Sequence, residues 1–333
     1  MKDETFKLNR DIFTDQMEKI STRQGYGEGL LEAGEWDERV VLLSADLTDS
    51  TGGRPFAERF PERFVQVGVA EQNLVTVASG MASMGKIPFV NSYAVFSPGR
   101  NWEQIRTTVC YNNQPVKITG SHVGVSVGPD GGSHQALEDI ALMRSLPNMV
   151  VLSPCDTLEA KKAALAMAKT DTPVYIRLCR DKTPVVTSEE TGFEIGKASL
   201  FYGEPEGTAD LGIVSTGPLV YTSMVVARAL ESERGIKVKV LNLSTIKPMD
   251  KEAVLNLAKQ TGAIVTVEEH QIHGGMGSAV AEVLVKEYPT PMEFVGVHDR
   301  FGESGEADEL LSKYGLSEEG ILKAVERVLE RKS

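Results

Sequence analysis

Glu71 stands where a carboxylate needs a reason. It lies in Gly68-Val-Ala-Glu71-Gln-Asn, between an apolar strand beginning at Phe64 and a helix whose only polar side chains from Leu74 to Met84 are Thr76, Ser79 and Ser83. Ala78, Gly80 and Ala82 are small, so no face of this helix is built for water, and it reads as buried or as an interface. An anion in the first turn gains from the helix dipole, whereas burial opposes charge and raises a carboxyl pKa. Glu71 therefore either pairs with a cation or keeps its proton and donates a hydrogen bond. The plain alternative is a helix-start Glu satisfied by backbone amides.

Other residues offer complementary chemistry. The segment Gly120-Ser-His122-Val-Gly-Val-Ser-Val-Gly-Pro-Asp130-Gly-Gly-Ser-His134-Gln135 puts two imidazoles and a carboxylate in one Gly-rich loop, whose glycines permit tight turns and close approach of backbone to a ligand. Tyr93 and Phe96, three residues apart, offer flat faces for a heterocycle, although each alone reads more readily as core. Arg180, Arg23 and Ser50 supply guanidinium forks and a hydroxyl suited to phosphate oxygens; singly they read as surface ion-pair or turn residues. Asp46 ends a strand and serves either as a cap or as a neighbour of a ligand. His270-Gln-Ile-His273-Gly-Gly-Met-Gly277 has metal-like HxxH spacing and a GGxG before a helix, but no third ligand is apparent and the full dinucleotide fingerprint is missing.

Gly68 to Asn73, Pro88 to Phe96, and the loop through Gln135-Ala-Leu-Glu-Asp139 and Arg144-Ser-Leu-Pro-Asn148 together resemble the pyrimidine-binding half of transketolases. The resemblance implies thiamine diphosphate as cofactor, with Glu71 hydrogen-bonded to N1′ of its aminopyrimidine. A proton held there promotes the imino tautomer that deprotonates the thiazolium carbon. It implies Phe96 and Tyr93 as the paired aromatics, one of them stacking on the ring, with Asp46 near the cofactor. His122 and Asp130 would approach the sugar hydroxyls and form, with Glu71, the catalytic set. His134, Arg180, Arg23 and Ser50 would bind the substrate phosphate. The same resemblance places His270 to Gly277 in a C-terminal domain where glycines allow close packing, which favours a structural role for that stretch.

Transketolases bind magnesium and diphosphate through a Gly-Asp-Gly motif followed at some distance by Asn, and this sequence has no such segment. Magnesium needs near-octahedral oxygen ligands. No metal ligand is therefore expected on this chain, and Mg2+ and the diphosphate fall to a separate N-terminal transketolase subunit. The expected assembly is a homodimer alone and two copies of each chain with the partner, moving a two-carbon ketol unit between sugar phosphates. Deoxyxylulose-phosphate synthases and the β subunits of 2-oxo-acid dehydrogenases share the architecture, but the latter need no sugar-phosphate arginines. A catalytically silent binding homologue is opposed by the joint presence of Glu71, Phe96, Asp130, His134 and Arg180.

The elements that must position these residues read as an α/β chain. Strands at Val40–Asp46, Ile87–Val90, 115–119, Val150–Leu152 and Val174–Leu178 alternate with helices, which implies a mostly parallel sheet. Asn9 to Glu32 reads as one or two helices interrupted near Gly25 to Gly29, and 101–112 as another helix. A composition shift after Asp181 divides the chain into a pyrimidine-binding domain at 1–185, a linker at 186–207 and a smaller α/β C-terminal domain at 208–333, also mostly parallel. A net charge of −12 argues against nucleic acid and anionic membrane as partners. Cys110, Cys155 and Cys179 are odd in number and widely spaced, which suggests neither disulfides nor zinc. The charged start Met1-Lys-Asp-Glu-Thr and the lack of a run of about 18 apolar residues lead to the expectation of a cytoplasmic chain that is neither exported nor membrane-spanning.

Overall fold

The computed structural model describes residues 7–332, so the reading of residues 1–5 as free of a leader lies outside it. Fourteen strands are present among these residues: β1 (Lys19–Ser21), β2 (Val40–Ser44), β3 (Phe64–Gln66), β4 (Ile87–Tyr93), β5 (Lys117–Ser121), β6 (Val150–Leu152), β7 (Val174–Leu178), β8 (Lys182–Pro184), β9 (Ser199–Tyr202), β10 (Leu211–Ser215), β11 (Val238–Asn242), β12 (Thr245–Lys247), β13 (Ile264–Gln271) and β14 (Met292–Val297). The first sheet runs β12-β6-β7-β5-β4-β2-β3 and is parallel from β6 to β3, with registers such as Leu43 opposite Val90 and Ile118 opposite Tyr175. Every residue of β2, β5 and β7 is buried, as expected of parallel strands covered on both faces. Helices Thr22–Trp36 and Thr157–Ala168 cover one face through Tyr26, Leu30, Ala160 and Ala164. The helix Glu71–Ser83 packs on the other through Leu74, Val75 and Ala78.

The second sheet runs β14-β13-β10-β11-β9, parallel except for β9. The core between Val41, Val90 and Ile118 of the first sheet continues without interruption into Val214, Leu241 and Ile264 of the second. The expected fold class, two mostly parallel α/β domains, is what the chain adopts, with the two sheets joined through one hydrophobic core.

Five details depart from the sequence reading. The helix Thr22–Trp36 passes unbroken through Gly25, Gly27 and Gly29, because these glycines are points of backbone contact rather than breaks. A side chain at Gly25 would overlap the Thr157 carbonyl, and one at Gly29 the Lys161 carbonyl. Residues 9–16 form turns, after which β1 pairs antiparallel with β8. Within the stretch read as a linker, β9 is hydrogen-bonded to β11 as the edge of the second sheet. Conversely, β12 belongs to the second half in sequence but extends the first sheet antiparallel to β6, covering an edge that would otherwise present unpaired backbone groups. The expected helix at 101–112 is a single α turn, Trp102–Gln104, followed by a widened helix at Ile105–Cys110 with Tyr111 N–H bonded to the Arg106 carbonyl at 3.0 Å. No helix among the described residues is long and apolar enough to cross a membrane.

Candidate active site

Strand order, not chain order, assembles the site. Reading across β7-β5-β4-β2-β3, the residues at or just beyond the carboxyl ends are Arg180, His122, Tyr93, Asp46 and Glu71. Open α/β sheets bind ligands at this edge. Two of the five leave their strands in the left-handed region that non-glycine residues seldom adopt: Asp46 at φ 63° and His122 at φ 59°. Such strain persists where the surroundings fix it, and it clusters at ligand sites.

Glu71 begins its helix, 2% exposed, and accepts a hydrogen bond at Oε2 from Arg100 Nη1 at 2.7 Å. Of the two arrangements open to a buried carboxylate, the structure has the ion pair. Arg100 also lies over the Phe96 ring, 5.0 Å from its centroid. Asn101, fully buried, donates to the Glu71 carbonyl at 2.9 Å and to Ser97 Oγ at 3.1 Å.

Four rings converge beside it. Tyr93 stacks on His122 with centroids 3.8 Å apart and lies nearly parallel to Phe96, at 6.2 Å and 19°. His134 stands edge-on to both, 5.6 Å from Phe96 and 6.2 Å from Tyr93. His122 is buried, and its Nδ1 is hydrogen-bonded to Ser121 Oγ at 2.9 Å. Burial, reinforced by the positive charges of Arg23 and Arg180 and by His134, pushes the His122 pKa down to about 3, so its imidazole is neutral at physiological pH.

The two arginines whose charges act on His122 come from different parts of the chain. Thr22 Oγ1 accepts from Cys179 N at 3.0 Å and lies 3.1 Å from Cys179 Sγ, which fastens the residue before Arg23 to the residue before Arg180. Arg23 Nη1 donates to the Ser50 carbonyl at 2.7 Å, while the Ser50 hydroxyl turns away to the Leu47 carbonyl at 3.3 Å. Arg180 Nη1 holds the Val127 carbonyl at 2.9 Å, and its Nη2 faces Asp130 Oδ1 at 4.0 Å. Asp46 is exposed, and its backbone N–H donates to Gln66 Oε1 at 2.8 Å.

The glycines of the loop serve a purpose the sequence reading missed. Their close approach is to the C-terminal domain: a side chain at Gly124 would overlap the Glu269 carboxylate, one at Gly131 Ser304 Oγ, and one at Gly132 the Gly302 carbonyl. Ser126 N–H donates to Glu269 Oε1 at 2.7 Å, and Gln135 Nε2 donates to the Glu303 carbonyl at 2.9 Å. The second domain thus moulds the loop that carries His122, Asp130 and His134. Glu269 is fully buried, which raises its pKa to about 6 against the lowering effect of the Ser126 bonds.

A family model described as the transketolase pyrimidine-binding domain matches residues 18–185, and one described as the transketolase C-terminal domain matches 204–321. The chain belongs to the transketolase family. It is 44% identical to a putative transketolase C-terminal section of Methanocaldococcus jannaschii, over 91% of this chain and 94% of that protein. It is 41% identical to a 6-deoxy-6-sulfo-D-fructose transketolase subunit of Clostridium sp. (strain MSTE9), over 96% of this chain and 98% of that one. Among solved structures, a split-gene transketolase in an inactive β4 tetramer matches with a TM-score of 0.87 and 44% identity, covering 94% of this chain and all of that one.

Within this transketolase fold, His270 of the HxxH pair accepts hydrogen bonds at Nε2 from Ile140 N–H at 3.2 Å and Ala141 N–H at 3.4 Å, so it serves the domain interface. Burial pushes its pKa down to about 4. No group of three or more His, Cys, Asp or Glu side chains among the described residues is placed to hold a metal ion. Sequence reasoning passed over Arg100, Gln135 and Glu269. Arg100 follows Phe96 at helical i, i+4 spacing, a signal that could have offered it as the cation Glu71 requires. Glu269 carried no local signal, because its partner Ser126 lies 143 residues away.

Proposed function

We propose that this chain is the pyrimidine-binding subunit of a split transketolase that uses thiamine diphosphate to move a two-carbon ketol unit between sugar phosphates. The observation that carries the reading is the convergence, at one sheet edge, of a buried carboxylate beside two near-parallel aromatic rings with a neutral His122 flanked by Arg23, Arg180 and His134. The two halves of that site ask for different ligands: a flat nitrogen heterocycle on one side and an anion-bearing polar molecule on the other.

The donor set fits the aminopyrimidine end of the cofactor. Glu71 would hold a proton at N1′, Phe96 would stack on the ring with Tyr93 behind it, and Asp46 would stand nearby. Bound thiamine diphosphate supplies the carbanion chemistry. Neutral His122 can accept or donate a hydrogen bond at a sugar hydroxyl, and Asp130 can orient a second one. Arg180, Arg23 and His134 would hold the acceptor's phosphate, with Ser50 contributing through the carbonyl that fixes Arg23. A sulfonate would satisfy the same guanidinium forks, so the chemistry selects an anionic sugar rather than one particular sugar.

Magnesium and diphosphate binding fall, in this reading, to an N-terminal-section partner in a two-plus-two assembly in the cytoplasm. The near full-length match to C-terminal sections and subunits supports this reading, as does the inactive tetramer formed by the similar split-gene chain. On the first domain, the exposed side of helix Glu71–Ser83 carries Gln72, Asn73, Thr76, Gly80 and Ser83, small polar groups suited to self-association. The test is to purify the chain, then mix it with a diphosphate-domain transketolase subunit and thiamine diphosphate with magnesium. Turnover of xylulose 5-phosphate with ribose 5-phosphate is expected only in the mixture, and turnover by the single chain would refute the split-enzyme reading.

A further inference from the structure

Arg100 makes the two contacts that the proposed function asks of an aminopyrimidine. Its guanidinium, a planar cation with N–H donors, lies over the face of Phe96 and donates to the buried Oε2 of Glu71. Its backbone is fixed: Arg100 N–H bonds to the Phe96 carbonyl at 2.9 Å, and the next residue, Asn101, is pinned to the first turn of the Glu71 helix. The side chain is not fixed. It is 52% exposed, whereas its partner carboxylate is 2% exposed. A half-exposed arm therefore keeps a buried charge paired.

We propose that Arg100 and the cofactor's aminopyrimidine compete for Glu71, and that Arg100 acts as a latch which must swing away for the ring to bind. The inference rests on the cofactor reading of the site given above. Its physical basis is that an unpaired buried carboxylate is costly and that a guanidinium stays charged throughout the physiological range. Arg100 supplies the missing charge to Glu71, and a ring that stacked on Phe96 and bonded to Glu71 would call on the same two side chains that Arg100 occupies. Release of Arg100 to solvent is inexpensive because half of the side chain is already there.

Three variants separate this from a general structural role. A charge-assisted hydrogen bond corresponds to about a ten- to hundred-fold change in an equilibrium constant, and half exposure places Arg100 at the lower end. Arg100→Ala should therefore bind thiamine diphosphate about ten-fold more tightly while lowering the melting temperature of the cofactor-free chain. Arg100→Lys, which keeps the charge but loses the planar fork, should fall between the two. In a Glu71→Gln background, Arg100→Ala should change affinity little, since the contested carboxylate is gone.

Affinity is read by calorimetry with thiamine diphosphate and magnesium on the enzyme reconstituted with its diphosphate-domain subunit. Equal affinity of wild type and Arg100→Ala would overturn the latch, and so would weaker binding by Arg100→Ala, which would make Arg100 a residue that holds the cofactor. Absence of binding by every reconstituted form, wild type included, would instead overturn the cofactor reading on which the latch rests.

Discussion

Arg180 divides its guanidinium between two tasks, one nitrogen holding the Val127 carbonyl and another turned toward Asp130. If it also holds the acceptor's phosphate, Arg180→Ala and His134→Ala should raise KM for ribose 5-phosphate about ten- to hundred-fold, the range for one charge-assisted hydrogen bond. Arg180 should matter more, because its charge does not depend on pH near neutrality. Glycolaldehyde, which has no phosphate, should be nearly unaffected in the reconstituted enzyme. An equal loss on both substrates would assign Arg180 to bracing the loop. His122 yields a prediction about pH. Its folded pKa, about 3, lies below the unfolded value of about 6.5, so on acidification the unfolded chain takes up the proton first. Its contribution therefore lowers stability as pH falls from about 6.5 toward 3 and is absent above that window. The His122 ring signals in NMR should remain those of neutral imidazole down to about pH 4, and urea titrations of His122→Asn should show a shallower loss of stability across the same range than wild type.

Among the elements, the loop of residues 121–134 shows most clearly how position is achieved. It takes its shape from outside itself, from Glu269 and the 302–304 segment against which its glycines are pressed. Gly132→Ala would set a methyl group into the Gly302 carbonyl, so backbone must move. Overpacking of this kind costs about 1–3 kcal/mol. The expected result is a raised KM for sugar phosphates, together with faster hydrogen exchange in both 121–134 and 302–306. Faster exchange in the loop alone would argue against the C-terminal domain as its mould. The helix Thr22–Trp36 uses glycine in the same manner, to lie against helix Thr157–Ala168 and bring Arg23 to the site edge.

At the scale of the whole molecule, the two domains are joined by polar groups as well as by a shared core. Asp139 receives Arg177 Nε at 2.9 Å, Arg177 Nη2 at 3.0 Å and Tyr175 OH at 2.8 Å, all buried, while Arg177 Nη2 also reaches the Glu269 carbonyl at 3.1 Å. Burial works to raise the Asp139 pKa, but Arg177 and His270 hold it below the ordinary carboxylate value. Asp139→Ala would leave a buried guanidinium without its counter-charge. Breaking such a pair costs about 3–5 kcal/mol, whereas replacing both partners with apolar residues of similar volume is often neutral. Urea unfolding should show a loss of that size for Asp139→Ala and a much smaller one for Asp139→Leu combined with Arg177→Met. A small loss in the single variant would mean that the ion pair is not what holds Arg177 against the Glu269 carbonyl of the second domain.

The strands at Val150–Leu152 and Val174–Leu178 were legible residue for residue, because a buried parallel strand is written in adjacent side chains. Glu71, the His122 to His134 loop and Arg180 were singled out as candidates in the same way, from residue types and short spacings. Tertiary structure alone decided which of these groups meet. The order β7-β5-β4-β2-β3 sets Arg180 beside His122 although 58 positions separate them in sequence, since strand neighbours are chosen by pairing between distant segments. Likewise the partner of Glu71, the surface against which Gly124, Gly131 and Gly132 lie, and the crossing of β12 into the first sheet all depend on contacts between residues far apart in the chain. Periodicity and local motifs report only what a residue's near neighbours dictate, and these contacts exist only after the two sheets have packed on one core.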